Sequence, residues 1–257
     1  MRGFWAVYKK ELYSFWSSPI FYVVAFVFFV LCGYFFYSDV AYYSMISFRA
    51  MQNPFMAEQL NITNMVIRPF FLDLSIVFLL LSPLLTMKLY AEERKSGTIE
   101  LLLTYPISDG ALVWAKFFGV VTIFLFLLVG TLPHFFVLEY LTDPNWLVIA
   151  ACYGGILLMG ASFISLGLFT SSLTQNQIIA ATLSFGALLG FWIISWMGSI
   201  AQSTTWKRFF EYLSITHHVE PFTKGLVDVR HIVYYLLFVA FFIFLTRRRI
   251  DSYRWHG

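Results

Sequence analysis

From Leu12 to Ser38 the chain runs without a single Asp, Glu, Lys or Arg, and it contains the first of six long, mostly apolar stretches. About 20 mostly apolar residues suffice for a helix to cross ~30 Å of hydrocarbon. Within lipid the backbone must satisfy its own hydrogen bonds, which leaves only helices and closed barrels. Long, predominantly apolar runs of this kind read as helices. They cover residues 19–37, 70–90, 112–141, 146–170, 178–197 and 231–246. Hydrophobic residues make up 60% of the 257 and charged residues 12%, whereas soluble domains carry ~25% charged residues. A soluble globule of this length has too little interior to hide that much apolar surface.

The expected fold class is an all-α membrane protein, a single transmembrane domain over residues 1–257. Residues 1–18 form an N-terminal interfacial helix, 19–90 the first two spans, and 91–110 a short cytoplasmic helix. Spans three to six follow over 111–246, and 247–257 form a tail. With six spans both termini share a side. That side holds Arg2, Lys9, Lys10, Lys88, Arg94, Lys95, Lys116, Arg247, Arg248, Arg249 and Arg254. The other side holds Arg49, Arg68, Lys207, Arg208, Lys224 and Arg230. The bias of Lys and Arg toward the inner side places both termini in the cytoplasm of a multi-pass protein of the cell inner membrane. The net charge of +3 reflects that orientation. No basic run with interleaved aromatics suggests a nucleic-acid groove.

Before the first span, Phe4, Trp5, Tyr8, Leu12, Phe15 and Trp16 share a helical arc, with Arg2, Lys9 and Lys10 facing away. That pattern predicts a helix in the membrane interface, separated from the first span at Pro19, where proline suits a helix start. The uncharged run exceeds the h-region of a signal peptide, and no convincing cleavage site follows. Cys32 and Cys152 both fall within spans, so no disulfide framework is implied.

Metal and catalytic signatures are sparse. The 39–69 loop carries Met45, Met51, Met56 and Met65; thioethers suit soft metals, but methionine also fills irregular gaps, which is the simpler reading. His217, His218 and Glu220 are the nearest approach to a metal cluster, although adjacent histidines diverge on a helix. His134, beside Pro133, reads as a helix-end polar group. No metal ligand set is assigned. The chain has no phosphate loop, no G-x-S-x-G elbow and no H-E-x-x-H, so no catalytic residue and no cofactor site is expected on it. Its spans are nearly free of ionisable residues, Asp73 and Glu139 being marginal; an ion-coupled carrier would need more.

Small residues mark close helix contacts in lipid. Gly186 and Gly190 form a G-x-x-x-G pattern in the fifth span, and the fourth carries Gly154, Gly155, Gly160, Ala161, Ser165 and Gly167. A subunit interface and packing within one subunit both fit.

The stretch YAEERKSGTIELLLTYPIS, residues 90–108, interrupts the apolar pattern. Glu92, Glu93, Arg94 and Lys95 run into Ser96-Gly97-Thr98, which read as a helix entry. Ile99, Leu102 and Leu103 follow at i, i+3 and i+4. Tyr105-Pro106 end the helix, and Ser108-Asp109 open the next span. A short helix along the membrane surface, apolar on one face and charged at its start, is a docking element.

The segment LLSPLLTMKLYAEERKSGTIELLLTYPISDGALVWAKFFG, residues 80–119, resembles the signature region of type-2 ABC transporter permeases. Residues 166–185 and 221–246 resemble the same family, most of all its gliding-motility and copper-maturation (nitrous oxide reductase accessory) subgroup. The resemblance implies a permease subunit, an exporter by subgroup, that dimerises with a second copy or a homologous permease. It also implies two ABC ATPase subunits carrying the ATP and Mg, an interfacial N-terminal helix, and a membrane-entering hairpin between the last two spans. Glu92, Glu93, Arg94, Gly97 and Glu100 carry over as coupling-region positions. A secondary transporter or channel, and a membrane scaffold without transport, are the rival classes.

Overall fold

The computed structural model describes residues 2–51, 60–104, 107–200 and 203–256, and these are helical almost throughout. The helices are α1 Arg2–Trp16, α2 Pro19–Ala50, α3 Arg68–Thr86, α4 Lys88–Lys95, α5 Thr98–Thr104 and α6 Asp109–Val129. They continue as α7 Leu132–Leu141, α8 Trp146–Leu173, α9 Gln177–Ile200, α10 Thr204–Leu213, α11 Ile215–Thr223 and α12 Val229–His256. Six segments are long and apolar enough to cross a membrane: Pro19–Ala50, Thr63–Lys95, Asp109–Leu141, Trp146–Leu173, Gln177–Met197 and Val229–Tyr253. Each covers one of the expected spans.

The boundaries differ where polar residues do not break a helix. Residues 38–50 lack Gly and Pro, so α2 passes through Asp39 and reaches Ala50. The expected 39–69 loop is correspondingly shorter, and helical structure resumes with a wide turn at Thr63–Ile67 leading into α3. Met45 and Met51 are exposed on this side, and Met56 lies outside the described residues. The second and third spans are each interrupted. Pro83 lacks the N–H that the α3 ladder needs, and the helix steps at Met87 before continuing as α4. Gly130-Thr131 break the third span, where the Thr131 hydroxyl bonds the Leu128 carbonyl (2.7 Å) and the Tyr153 hydroxyl (2.7 Å). His134 holds that helix start through the Thr131 carbonyl (3.0 Å).

The core gathers around α8. Phe71, Phe135 and Tyr153 stack and edge together at one end, and Phe28, Phe78 and Phe124 at mid-depth. Aromatic pairs of this kind add ~1 kcal/mol each beyond their area. A Cβ on Gly160 would run into the Phe124 ring and one on Gly167 into Thr86, so these small residues serve packing within the subunit. Around Gly186 and Gly190 there is nothing within 4 Å of an added Cβ. Their face of α9 is open, and packing within the subunit does not explain the pair.

α1 is a separate helix, ended at Trp16 and followed by Pro19 at the first position of α2. Its buried stripe is Val7, Glu11 and Phe15, spaced i, i+4, i+8, rather than the tryptophans, since Trp5 and Trp16 stay exposed. It lies along α6, with Phe4 edge-on to Phe118 and the Tyr8 hydroxyl 2.9 Å from Thr122 Oγ1.

Candidate functional site

Where α1, α4, α6, α8 and α12 meet at one end of the bundle, the charged insert is bound into the fold by its first half. Lys116, two turns into α6, has a fully buried side chain. Its ammonium donates to Glu11 Oε1 (2.6 Å), Glu93 Oε1 (2.8 Å) and the Leu89 carbonyl (2.8 Å). Those are all three bonds an ammonium can donate. Lys10 completes the set at 2.5 Å from Glu93 Oε1, so two anions face two cations. An ion cluster this deep owes its survival to complete pairing, because the desolvation penalty of each charge is several kcal/mol. Tyr90 adds its ring face 5.0 Å from the Lys116 ammonium.

The backbone of α4 is tied to α8. Ser171 Oγ accepts from the Tyr90 and Ala91 N–H groups (3.1 and 3.2 Å) and donates to the Met87 carbonyl (2.9 Å). Arg94 donates to the Ser172 carbonyl (2.9 Å) and lies 4.5 Å over the Tyr253 ring of α12. A turn of two residues then separates α4 from α5. Ser96 bonds back to the Glu92 carbonyl (2.9 Å) and to the Thr98 hydroxyl (2.9 Å). Gly97 takes φ +72°, the left-handed region that costs other residues ~1–2 kcal/mol. The chain reverses there and starts α5.

The residues singled out from the sequence separate into two groups. Glu93 and Arg94 point into the fold, and Ile99 is buried in the main core. Glu92, Lys95, Gly97, Thr98 and Glu100 are exposed. The charge run therefore ends the second span instead of starting the surface helix, whose own acidic residue is Glu100. The side chains of Leu102 and Leu103, and Tyr105-Pro106 entirely, lie outside the described residues. Ser108 caps α6, its hydroxyl accepting from the Ala111 N–H at 3.4 Å. Glu11, Lys10, Lys116, Ser171 and Ser172 were not singled out. A lysine two turns inside an apolar helix and a glutamate on the apolar arc of α1 were the available signals, since neither stays unpaired in a bilayer.

At the far end, Glu220 pairs with Arg68 (2.6 Å) and Lys224 (3.1 Å). Partial burial raises the Glu220 carboxyl, and the Lys224 and Arg68 cations outweigh it, leaving its pKa below the ordinary value. His218 Nε2 is 3.0 Å from the Tyr212 carbonyl and His218 Nδ1 is 2.6 Å from His231 Nδ1. A carbonyl only accepts, so His218 carries its proton on Nε2 and His231 donates from Nδ1. Burial pushes the His218 imidazole down to about 4. Among the described residues no three His, Cys, Asp or Glu side chains converge as a metal site.

No individual curated protein matches the chain by sequence. The model of one family, described as ABC-2 family transporter protein, matches residues 5–246, nearly the whole length. The first five spans, most of the sixth, and the two-part corner between the second and third fall within that match. This chain belongs to the ABC-2 transporter family, as a membrane-embedded permease subunit of an ABC transporter that associates with an ABC ATPase.

Proposed function

We propose that the chain is the membrane half of an exporter in which ATP hydrolysis on a partner drives the spans through the α4–α5 corner. The observation that carries this reading is the division of the corner into an anchored half and an exposed half. α4 is bonded to four other helices through Glu93, Ser171 and Arg94. α5 starts after Gly97 and presents Thr98 and Glu100, beside the exposed Lys95 at the end of α4. A push on α5 would thus reach α1, α6, α8 and α12 together. The distribution of Lys and Arg supports a cytoplasmic corner and cytoplasmic termini in the inner membrane. ATP and Mg belong to the ATPase, since this chain has no phosphate loop.

Two permeases and two ATPases make the assembly in this reading. The open glycine face of α9 is where a second permease would pack, because small residues permit close approach in lipid. The likeness of residues 166–185 and 221–246 to the gliding-motility and copper-maturation permeases supports a place in that subgroup. The test is to co-purify permease and ATPase, reconstitute them, and compare Glu100→Lys and Gly97→Val with the parent. Retained membrane insertion with loss of ATPase stimulation supports the corner as the contact. Unchanged binding and stimulation in both variants would refute it.

A further inference from the structure

Between α10 and α12 an aromatic slot opens on the outside of the bundle. Its lower part, about 320 Å³, runs along α12 between Tyr234, Phe238 and Phe242, with Phe191 of α9 opposite. Its mouth, about 520 Å³, is lined by Arg208, Phe209, Tyr212, Leu213 and Tyr234. Arg230 lines the slot from the first turn of α12. From Arg230 to Phe242 is 12 residues, or ~18 Å of helix, close to the depth of one leaflet of a ~30 Å hydrocarbon core.

The walls are held in place by hydrogen bonds and ring stacking between α10, α11 and α12. Tyr234 donates its hydroxyl to the Leu213 carbonyl (2.9 Å) and stacks on His218 at 3.8 Å. His218 in turn holds the Tyr212 carbonyl and His231. Tyr235 donates to the Ile215 carbonyl (2.8 Å). α10 itself divides cleanly: Trp206, Phe209, Phe210 and Leu213 share one arc, and Lys207, Arg208 and Glu211 the opposite one. Such a helix lies in a membrane interface. Arg230 is 82% exposed, with only a loose 4.0 Å approach to Asp228, so its guanidinium is available to a phosphate, as is that of the exposed Arg208.

We infer that this slot binds one anionic phospholipid of the adjoining leaflet, its phosphate between Arg208 and Arg230 and an acyl chain along Tyr234, Phe238 and Phe242. The bidentate geometry of guanidinium suits phosphate oxygens. His218 of α11 and His231 of α12 then act as supports of an aromatic wall. This binding is independent of which way the transporter moves its substrate.

The experiment titrates the full-length chain in detergent with phosphatidylglycerol and with phosphatidylcholine of the same acyl chains, counting bound lipid by native mass spectrometry. Phosphatidylglycerol is expected to bind roughly 10- to 30-fold more tightly, two cations each adding about fivefold. Arg208→Ala with Arg230→Ala should abolish that preference, while Leu237→Trp, narrowing the slot, should weaken both lipids. Glycerol phosphate, which has no tails, should not compete. An undiminished preference for phosphatidylglycerol in the double arginine variant, or competition by glycerol phosphate, would overturn the proposal. So would a Leu237→Trp chain that changes its oligomeric state with its lipid count unaltered, since the face would then be an interface between copies.

Discussion

Replacing Lys116 with Met removes the charge that joins Glu11 and Glu93 in the buried cluster. Among the described residues, Glu11 then loses the one cation bonded to its side chain, and Glu93 retains Lys10. Removing one partner of a buried ion pair costs about 3–5 kcal/mol, most of it from the carboxylate left unpaired. For a chain of this size that corresponds to a fall of about 10 °C in melting temperature, read by tryptophan fluorescence or a thiol-reactive dye in detergent. Glu11→Gln alone should cost less, because Lys116 keeps Glu93 and the Leu89 carbonyl. Combining Glu11→Gln with Lys116→Met should recover part of the loss, because the stranded charge is gone. A Lys116→Met chain melting within about 2 °C of the parent, less than 1 kcal/mol on the same scale, would refute the buried cluster. So would strictly additive losses in the double variant.

Other outcomes follow from the same geometry. Gly160→Leu, which drives a side chain into Phe124, should lower stability by about 1–3 kcal/mol as overpacking does, whereas Gly186→Leu with Gly190→Leu should leave the subunit's melting unchanged and alter only its assembly, read by size exclusion. His218, held down to about 4 by burial, binds its proton less readily folded than unfolded, so stability is full above about pH 6.5 and falls as the pH drops toward 4, by up to ~3 kcal/mol; His218→Phe should flatten the slope of melting temperature against pH over that window. Cysteines introduced at Glu100 and Trp206 should label from opposite faces of intact cells, and labelling of both from outside would exclude the six-span arrangement.

The spans were legible because a bilayer dictates both composition and helicity over ~20 residues at a time. The separate first helix was legible because Pro19 has few places to go but a helix start. The end of α2 was not. Ser38 and Asp39 look like an exit from the membrane, yet residues 38–50 hold no Gly or Pro to stop the helix before Ala50. The corner was half legible. Gly97 marked the turn, and its φ of +72° is the conformation that makes glycine necessary. The inward turn of Glu93 was hidden, because neighbours in a charge run point ~100° apart on a helix and its partners come from Lys10 and Lys116, distant along the chain.

Ser171 gives the step at Met87 a mechanical character. In a continuous helix the Tyr90 and Ala91 N–H groups would bond to carbonyls of their own strand, one turn back. Here both are received by a hydroxyl on α8, which returns its own proton to the Met87 carbonyl. The first turn of α4 is thus capped in trans, by a residue about eighty positions away. A hinge in a membrane helix is ordinarily free to flex at the expense of local bonds alone. Straightening or bending it further would break these bonds to α8, so flexion of the second span is coupled to its contact with the fourth.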